Sequence, residues 1–145
     1  MRIVLDSNII ARATPGKSGP AAAVRQAIRD PHLLILSPFL LAELARVLRY
    51  DRVRKLHGLS DSEIDTFLSA LQADALIVNV TPLATQAIVP SDPDDDPIVA
   101  TAVDGRADFL CTLDKHLHRP EVKTYCAAHG VEIVTDVELL TLLTP

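Results

Sequence analysis

Short apolar runs alternate along this chain with longer segments whose apolar residues recur at helical spacing. The runs predict five strands, at 2–5, 33–36, 76–80, 108–111 and 131–134. The other segments predict helices at 20–29, from 38 to about 50, from Ser60 onward, and at 98–103, 120–129 and 136–143. Strands joined by helices pair in parallel through right-handed crossovers, with helices on both faces of the sheet. We therefore expect an α/β protein with three layers, α/β/α, around a central parallel β-sheet.

Capping residues mark the start of two of these helices. Ser37 followed by Pro38 supplies an N-cap and a first-turn proline for the helix that runs to about Tyr50. Ser60 and Glu63 have the spacing of a capping box, in which each side chain satisfies a backbone amide of the other residue. Both signals favour helices that begin at these residues.

The composition suits one compact cytoplasmic domain over residues 1–145. A chain of 145 residues is long enough to bury a sizeable core, and it contains neither repeats nor a low-complexity linker. Its uncharged stretches are too short for a membrane span, and charged Arg2 at the start does not fit a secretory signal. Cys111 and Cys126 form no CxxC pair and suggest no disulfide framework.

Acidic residues lie where the predicted strands end or the predicted helices begin. Asp6 follows the first strand, Asp114 follows the fourth, Glu43 lies in the helix after the second, and the 92–96 segment precedes the helix at 98–103. Each acid has an ordinary structural explanation, such as a helix cap or an exposed ion pair. Four segments that bring an acid to one sheet edge nevertheless favour a site, and carboxylates at close range need a cation.

The formal net charge of −5 does not exclude a nucleic-acid partner. Seven of the 19 acidic residues belong to the set at the predicted edge. The remaining 12 are outnumbered by the 14 lysines and arginines, so the rest of the chain is mildly basic. A basic run is either a solvated helix end and loop or a patch that follows a phosphate backbone, and its sequence leaves both readings open. The run consists of Arg46, Arg49, Arg52, Arg54 and Lys55, with His57 after it.

Three other segments resemble known binding motifs but lack residues that those motifs require. The aspartates at 92–96 resemble half of an EF-hand loop, but Pro97 stands where glycine is needed and Val103 where glutamate is needed. Residues 16–18 resemble the end of a phosphate-binding loop, but Ala11 replaces its first glycine. His116 and His118 are two residues apart and are poor candidates for a zinc site. Oxygen ligands alone favour Mg²⁺ or Mn²⁺ over zinc.

Four segments in order resemble the PIN-domain family. They are 4–8 (VLDSN), 37–44 (SPFLLAEL), 92–102 (DPDDDPIVATA) and 107–114 (ADFLCTLD). Each motif is weak alone, but the ordered set covers nearly the whole chain. The chain is most similar to the subgroup of toxin components of type II toxin–antitoxin systems (VapC-like ribonucleases), and 58–63 (GLSDSE) fits that subgroup.

The resemblance implies a single PIN-like nuclease domain whose acidic residues bind metal. The family's four acids correspond to Asp6, Glu43, Asp95 and Asp114, which would hold one or two Mg²⁺ or Mn²⁺ ions for hydrolysis by an activated water. Asp96 stands where relatives often carry asparagine, so the third position remains open among the neighbouring aspartates. Two polar residues match positions that the family places near the acids, where they hold the carboxylates in orientation: Asn8 and Thr112.

The expected function is a metal-dependent endoribonuclease, a toxin that a small antitoxin protein holds inactive, and the family implies a homodimer. Two tyrosines and three phenylalanines leave little surface for base stacking, so we expect an RNA recognised by shape and phosphate. There are two alternatives. One is a catalytically silent PIN-like module that binds RNA or protein, and the other is a structure-specific nuclease that acts on DNA.

Overall fold

The chain folds around a parallel β-sheet in the order β3-β2-β1-β4-β5. The computed structural model describes residues 1–80 and 96–145, and of Asp96 only its place in a helix. The strands in this part of the chain are β1 (Arg2–Leu5), β2 (Leu33–Leu36), β3 (Leu76–Ile77), β4 (Phe109–Cys111) and β5 (Glu132–Val134). The predicted strand at 76–80 is shorter than expected, although the Val78 amide still donates to the Leu36 carbonyl at 2.8 Å.

Helices form the two outer layers, so the predicted three-layer α/β/α architecture is confirmed. Within the described residues they are α1 (Ser7–Ala11), α2 (Pro20–Ala27), α3 (Pro38–Val47), α4 (Asp51–His57), α5 (Asp61–Asp74), α6 (Asp96–Asp104), α7 (Pro120–Ala128) and α8 (Asp136–Leu143). No helix among these residues is long and apolar enough to cross a membrane.

The predicted helix from 38 to about 50 is wrong in its length. The helix α3 ends at Val47, and the chain turns so that Tyr50, in an extended conformation, precedes a separate helix α4. No residue of α4 is buried, and therefore its sequence carries no apolar periodicity to reveal it. The helix ends at Gly58, whose φ of 67° is the left-handed conformation that glycine adopts without steric cost.

Both predicted helix caps are present. The Ser37 hydroxyl accepts a hydrogen bond from the Leu40 amide at 3.3 Å, and Ser60 and Glu63 form the reciprocal capping box of α5. Substituting such an N-cap by alanine costs about 1 kcal/mol. The Ser37 cap fixes the start of α3, the helix that carries Glu43.

The core lies on both faces of the sheet, around the central strand β1 and its neighbour β2. Ile3, Val4 and Leu5 of β1 and Ile35 of β2 are fully buried, as the near-continuous apolar runs of these strands require in a parallel sheet. Each such side chain contributes roughly 1.5–3 kcal/mol through its burial. The strand β1 pairs with β2 on one side and with β4 on the other, so its carboxyl end lies where the strand order reverses. Ligands bind at this position in open parallel sheets.

Candidate functional site

Asp6 is a buried carboxylate at the carboxyl end of the central strand. It follows β1 directly and is the N-cap of α1, and only 3% of its surface is exposed. Its Oδ1 atom accepts a hydrogen bond from the Ser7 amide at 2.7 Å, and the Ser7 hydroxyl lies 3.4 Å from the same oxygen. Asp6 thus has the helix-capping role that is ordinary for aspartate, but it is more deeply buried than that role requires.

Thr112 connects Asp6 to the segment that carries Asp114. Its hydroxyl donates to Asp6 Oδ2 at 2.7 Å and accepts a hydrogen bond from the Asp114 amide at 3.0 Å. The Thr112 amide donates to the Val134 carbonyl at 3.0 Å, which anchors this residue to the next strand. One buried side chain therefore holds two acidic segments that are more than a hundred residues apart in sequence.

Asp114 lies beside Asp6 and is half-buried. Its Oδ1 atom accepts a hydrogen bond from the His116 amide at 2.9 Å, which turns the chain after β4. Burial raises the pKa of Asp6 above its ordinary value, and the negative charge of Asp114 adds a smaller rise. Hydrogen bonds from Thr112 and Ser7 oppose this rise. The pair thus lies at an edge where additional positive charge would stabilise the ionised forms.

Asn8 has a buried side-chain oxygen and lies close to Asp6 in sequence. It lies in α1, two residues after Asp6, and its buried Oδ1 atom has no hydrogen-bond partner among the described residues. A buried acceptor without a partner costs about 1–3 kcal/mol. Carboxylate and amide oxygens are the ligands that Mg²⁺ and Mn²⁺ prefer, so the donor atoms of Asp6, Asp114 and Asn8 fit such an ion. Within residues 1–80 and 96–145, no three acidic, histidine or cysteine residues form a metal-binding group.

The third predicted acid lies outside the described residues. Asp95 and the preceding aspartates of the cluster are not described, and Asp96 is the first residue of α6. The choice of Asp95 over its neighbours therefore stays a prediction.

Glu43 lies in the middle of α3, half-buried, on a helix that packs against α1 and α6. A contact that the sequence did not reveal joins the start of α3 to α6: the hydroxyls of Ser37 and Thr101 are hydrogen-bonded at 2.8 Å, and both side chains are fully buried. Thr101 also donates to the Pro97 carbonyl at 2.7 Å. This contact fixes the helix of Glu43 against the helix that follows the aspartate cluster.

The predicted basic patch is divided by the structure. Arg49 forms ion pairs with Asp61 at 3.5 Å and Asp65 at 2.7 Å, and Arg54 pairs with Asp61 at 2.8 Å. Exposed pairs of this kind contribute little to stability and can be exchanged for other partners. The other three cations are exposed and make no ion pair among the described residues: Arg46, Arg52 and Lys55.

Asp136 is a buried acid that the sequence reading did not select. It is 8% exposed and follows β5, so it lies at the same sheet edge as Asp6 and Asp114. Its negative charge acts on Cys111 in the neighbouring strand β4. Burial raises the pKa of the Cys111 thiol to about 12, and the charges of Asp136 and Asp6 add to that rise. A similar signal was present here, because Asp136 comes two residues after the predicted strand at 131–134 and begins the predicted helix at 136–143.

The fold and the acidic pair define an open parallel α/β protein with a candidate site at the topological switch point. Residues 2–116 match the model of the PIN domain family. The chain therefore belongs to the PIN domain family, and its fold is of the nuclease type. Comparison with curated proteins and with solved structures yields no match.

Proposed function

We propose that this protein is a Mg²⁺- or Mn²⁺-dependent endoribonuclease that hydrolyses RNA phosphodiester bonds. The observation that carries the proposal is the buried contact in which Thr112 holds Asp6 and the Asp114 segment together at the carboxyl edge of the sheet. Such a contact is unnecessary for capping a helix. It is what a site needs when two carboxylates must share one cation.

The residues that would hold the metal are Asp6, Asp114, Asp95 and Glu43, with Asp96 as the neighbour that could share the third position. Asp6 Oδ1 accepts hydrogen bonds from the amide and the hydroxyl of Ser7, whereas Oδ2 accepts one from Thr112 and keeps further acceptor capacity. When bound, the ion supplies Lewis-acid stabilisation of the phosphate and activation of water near neutral pH.

Thr112 and Asn8 have positioning roles in this proposal. The Thr112 hydroxyl directs its proton to Asp6 and its lone pair to the Asp114 amide, which fixes both the rotamer of Asp6 and the path of the following chain. The Asn8 Oδ1 atom, buried and without a partner in the described part of the chain, supplies a neutral acceptor. Glu43, half-buried on α3, orients the attacking water or completes the metal ligands.

The biological role that we propose is that of a cytoplasmic toxin, active as a homodimer and inhibited by a small antitoxin protein. Both cysteines are buried and free, which suits a reducing compartment. The exposed cations Arg46, Arg52 and Lys55 supply phosphate contacts for RNA. Light scattering of the purified chain measures the oligomer, and co-purification with the product of a neighbouring short reading frame tests the antitoxin.

The decisive experiment measures cleavage of RNA by the full chain across a titration of Mg²⁺ and Mn²⁺. Asp6→Asn and Asp114→Asn should each abolish metal-dependent cleavage while circular dichroism remains that of the parent. Asp74→Asn, at an exposed acid in α5, is the matched control and should cleave like the parent. Parental cleavage by both site variants would refute the assignment.

The same assay separates the two alternative functions. Faster cleavage of matched DNA than of RNA would favour a structure-specific DNA nuclease. Binding of RNA without any cleavage, together with no heat of Mn²⁺ binding in calorimetry, would favour a silent PIN-like module.

A further inference from the structure

A surface cavity of about 370 Å³ lies at the same sheet edge, next to the acidic site. Its walls are the end of α1, the loop that leads into α2, the end of α4 and the first residue of α8. Cavities of about 300–1,000 Å³ are the usual size of small-molecule sites. Three lining residues carry charge: Arg12, Lys17 and Asp136.

One side of the cavity suits a phosphate group. Arg12 is exposed and makes no ion pair among the described residues. The Lys17 ammonium donates to the Leu56 carbonyl, which holds it at the wall and leaves its other N–H groups for a ligand. The first turn of α2 adds partial positive charge, because its N-cap Gly19 has no capping side chain and no acid lies in that turn.

The opposite side presents a hydrogen-bond acceptor, the carboxyl group of Asp136. Asp136 Oδ1 accepts a hydrogen bond from the Val137 amide at 2.9 Å, whereas its Oδ2 atom has no hydrogen-bond or ion-pair partner within residues 1–80 and 96–145. This oxygen lines the cavity on a side chain that is 8% exposed, so it can accept a hydrogen bond from a bound ligand. It would repel a phosphate, so a suitable ligand carries a phosphate and, a few ångströms away, an O–H or N–H group.

A nucleotide combines these groups. Its phosphate matches the cationic wall, and its ribose hydroxyls or base amine can donate to Asp136. The face of its base can lie against Leu56, an apolar side chain that is 69% exposed at the cavity wall. Inorganic phosphate alone would leave both Asp136 and Leu56 without a contact.

The cavity also lies at a suitable distance from the acids. Asp6 precedes the first residue of α1, and Ala11 at its last residue lines the cavity, so the two are separated by about 8 Å of helix. A stacked nucleic-acid strand covers this distance in about two nucleotides, at roughly 3.4 Å each. One strand can therefore contact both places.

We propose that this cavity binds one nucleotide of the substrate strand beside the scissile bond, with its phosphate on Arg12 and Lys17 and a hydroxyl or amine donor on Asp136. The role of the cavity in holding a substrate strand rests on the proposed nuclease function, whereas its binding of a nucleotide does not. The donor is either the ribose 2′-hydroxyl or the base amine, two sources with the same hydrogen-bonding chemistry.

The test is an NMR titration of the ¹⁵N-labelled full chain, without divalent metal, with adenosine 5′-monophosphate and with inorganic phosphate. The nucleotide should shift the amide signals of Lys17, Ala21 and Val137. Arg12→Ala and Lys17→Ala should each weaken its binding about tenfold. Asp136→Asn should reduce the preference for nucleotide over phosphate by roughly fivefold.

The matched controls are two substitutions of cations outside the cavity, Arg29→Ala and Lys123→Ala. Both variants should bind the nucleotide like the parent. Unmoved amide signals, parental binding by the Arg12 and Lys17 variants, or an unchanged preference in Asp136→Asn would overturn the proposal. Weaker binding of the 2′-deoxy nucleotide assigns the donor to the ribose, and equal binding assigns it to the base.

Cleavage measurements keep this proposal separate from the nuclease proposal. Nucleotide binding at these residues in a chain that cleaves no RNA would leave the cavity assignment intact and refute the nuclease. RNA cleavage with parental KM in Lys17→Ala, together with no nucleotide binding, would refute the cavity and leave the nuclease standing.

Discussion

Thr112→Val tests whether the buried hydroxyl holds the acidic site together. Valine has the shape of threonine but can neither donate to Asp6 nor accept from the Asp114 amide, so both bonds, of 2.7 and 3.0 Å, are lost. A hydrogen bond to a charged group contributes about 1.5–3 kcal/mol, and the amide left without an acceptor adds to the cost. We expect the free energy of unfolding to fall by about 2–4 kcal/mol near neutral pH.

The same substitution should change the titration of Asp6. The hydrogen bond from Thr112 lowers the pKa of Asp6 and so opposes the rise that burial causes, and its loss should raise that pKa further. A carboxyl whose pKa is higher in the folded state binds more protons there, so stability falls as pH rises from the unfolded value through the folded value. In Thr112→Val this fall should extend to higher pH than in the parent.

The assays are urea unfolding, ¹³C NMR titration of the Asp6 carboxyl, and Mn²⁺ calorimetry. Loss of a hydrogen-bonding partner of a ligand typically weakens metal binding about 10–100-fold. Thr112→Ser keeps the hydroxyl and should retain most of the stability, the Asp6 pKa and the affinity. If Thr112→Val matched Thr112→Ser in all three measurements, the proposed role of this hydroxyl would be refuted.

Three further substitutions probe other parts of the structure. Asp6→Asn, measured without metal, should remove the Asp6 contribution to the fall in stability with rising pH, and an unchanged pH profile in urea unfolding would contradict the raised pKa. Gly105→Ala should lower the free energy of unfolding by about 1–3 kcal/mol in thermal unfolding, because a Cβ there would lie 2.6 Å from Ile35 Cγ2. Parental stability would show that the surrounding side chains relax freely. Ser37→Ala removes an N-cap and its bond to Thr101 and should cost about 1–3 kcal/mol by urea unfolding, whereas a loss below a few tenths would show that the contact is dispensable.

The sheet could be predicted because its signals are local and strong. Apolar runs such as 2–5 and 33–36 are stable as strands only when both of their faces are buried, and the helices between them require parallel pairing. The helices α1 and α4 could not be predicted in this way. The first has five residues, too few for a periodic pattern, and the second buries no side chain.

The candidate site was predictable in its location but not in its contacts. An acid after a strand predicts a position at the sheet edge, and Asp6 and Asp114 lie there. The sequence does not contain the distances that make Thr112 a bridge, or the burial that distinguishes Asp136 from an ordinary first-turn acid. These depend on how strands β4 and β5 align with β1, which is a property of the assembled sheet.

The strand order has a consequence for the moment at which the acidic pair is completed. Synthesis from the N-terminus delivers β1, β2 and β3 first, and these are neighbours in the sheet, so they can associate while the later residues are still being added. One edge of β1 then stays unpaired until β4 is added, and Asp6 has no bond to Thr112, which is 106 residues further along the chain. Closing that edge and completing the acidic pair are the same event. A nascent or half-folded chain in which β4 has not joined β1 thus lacks the contact between Thr112 and Asp6.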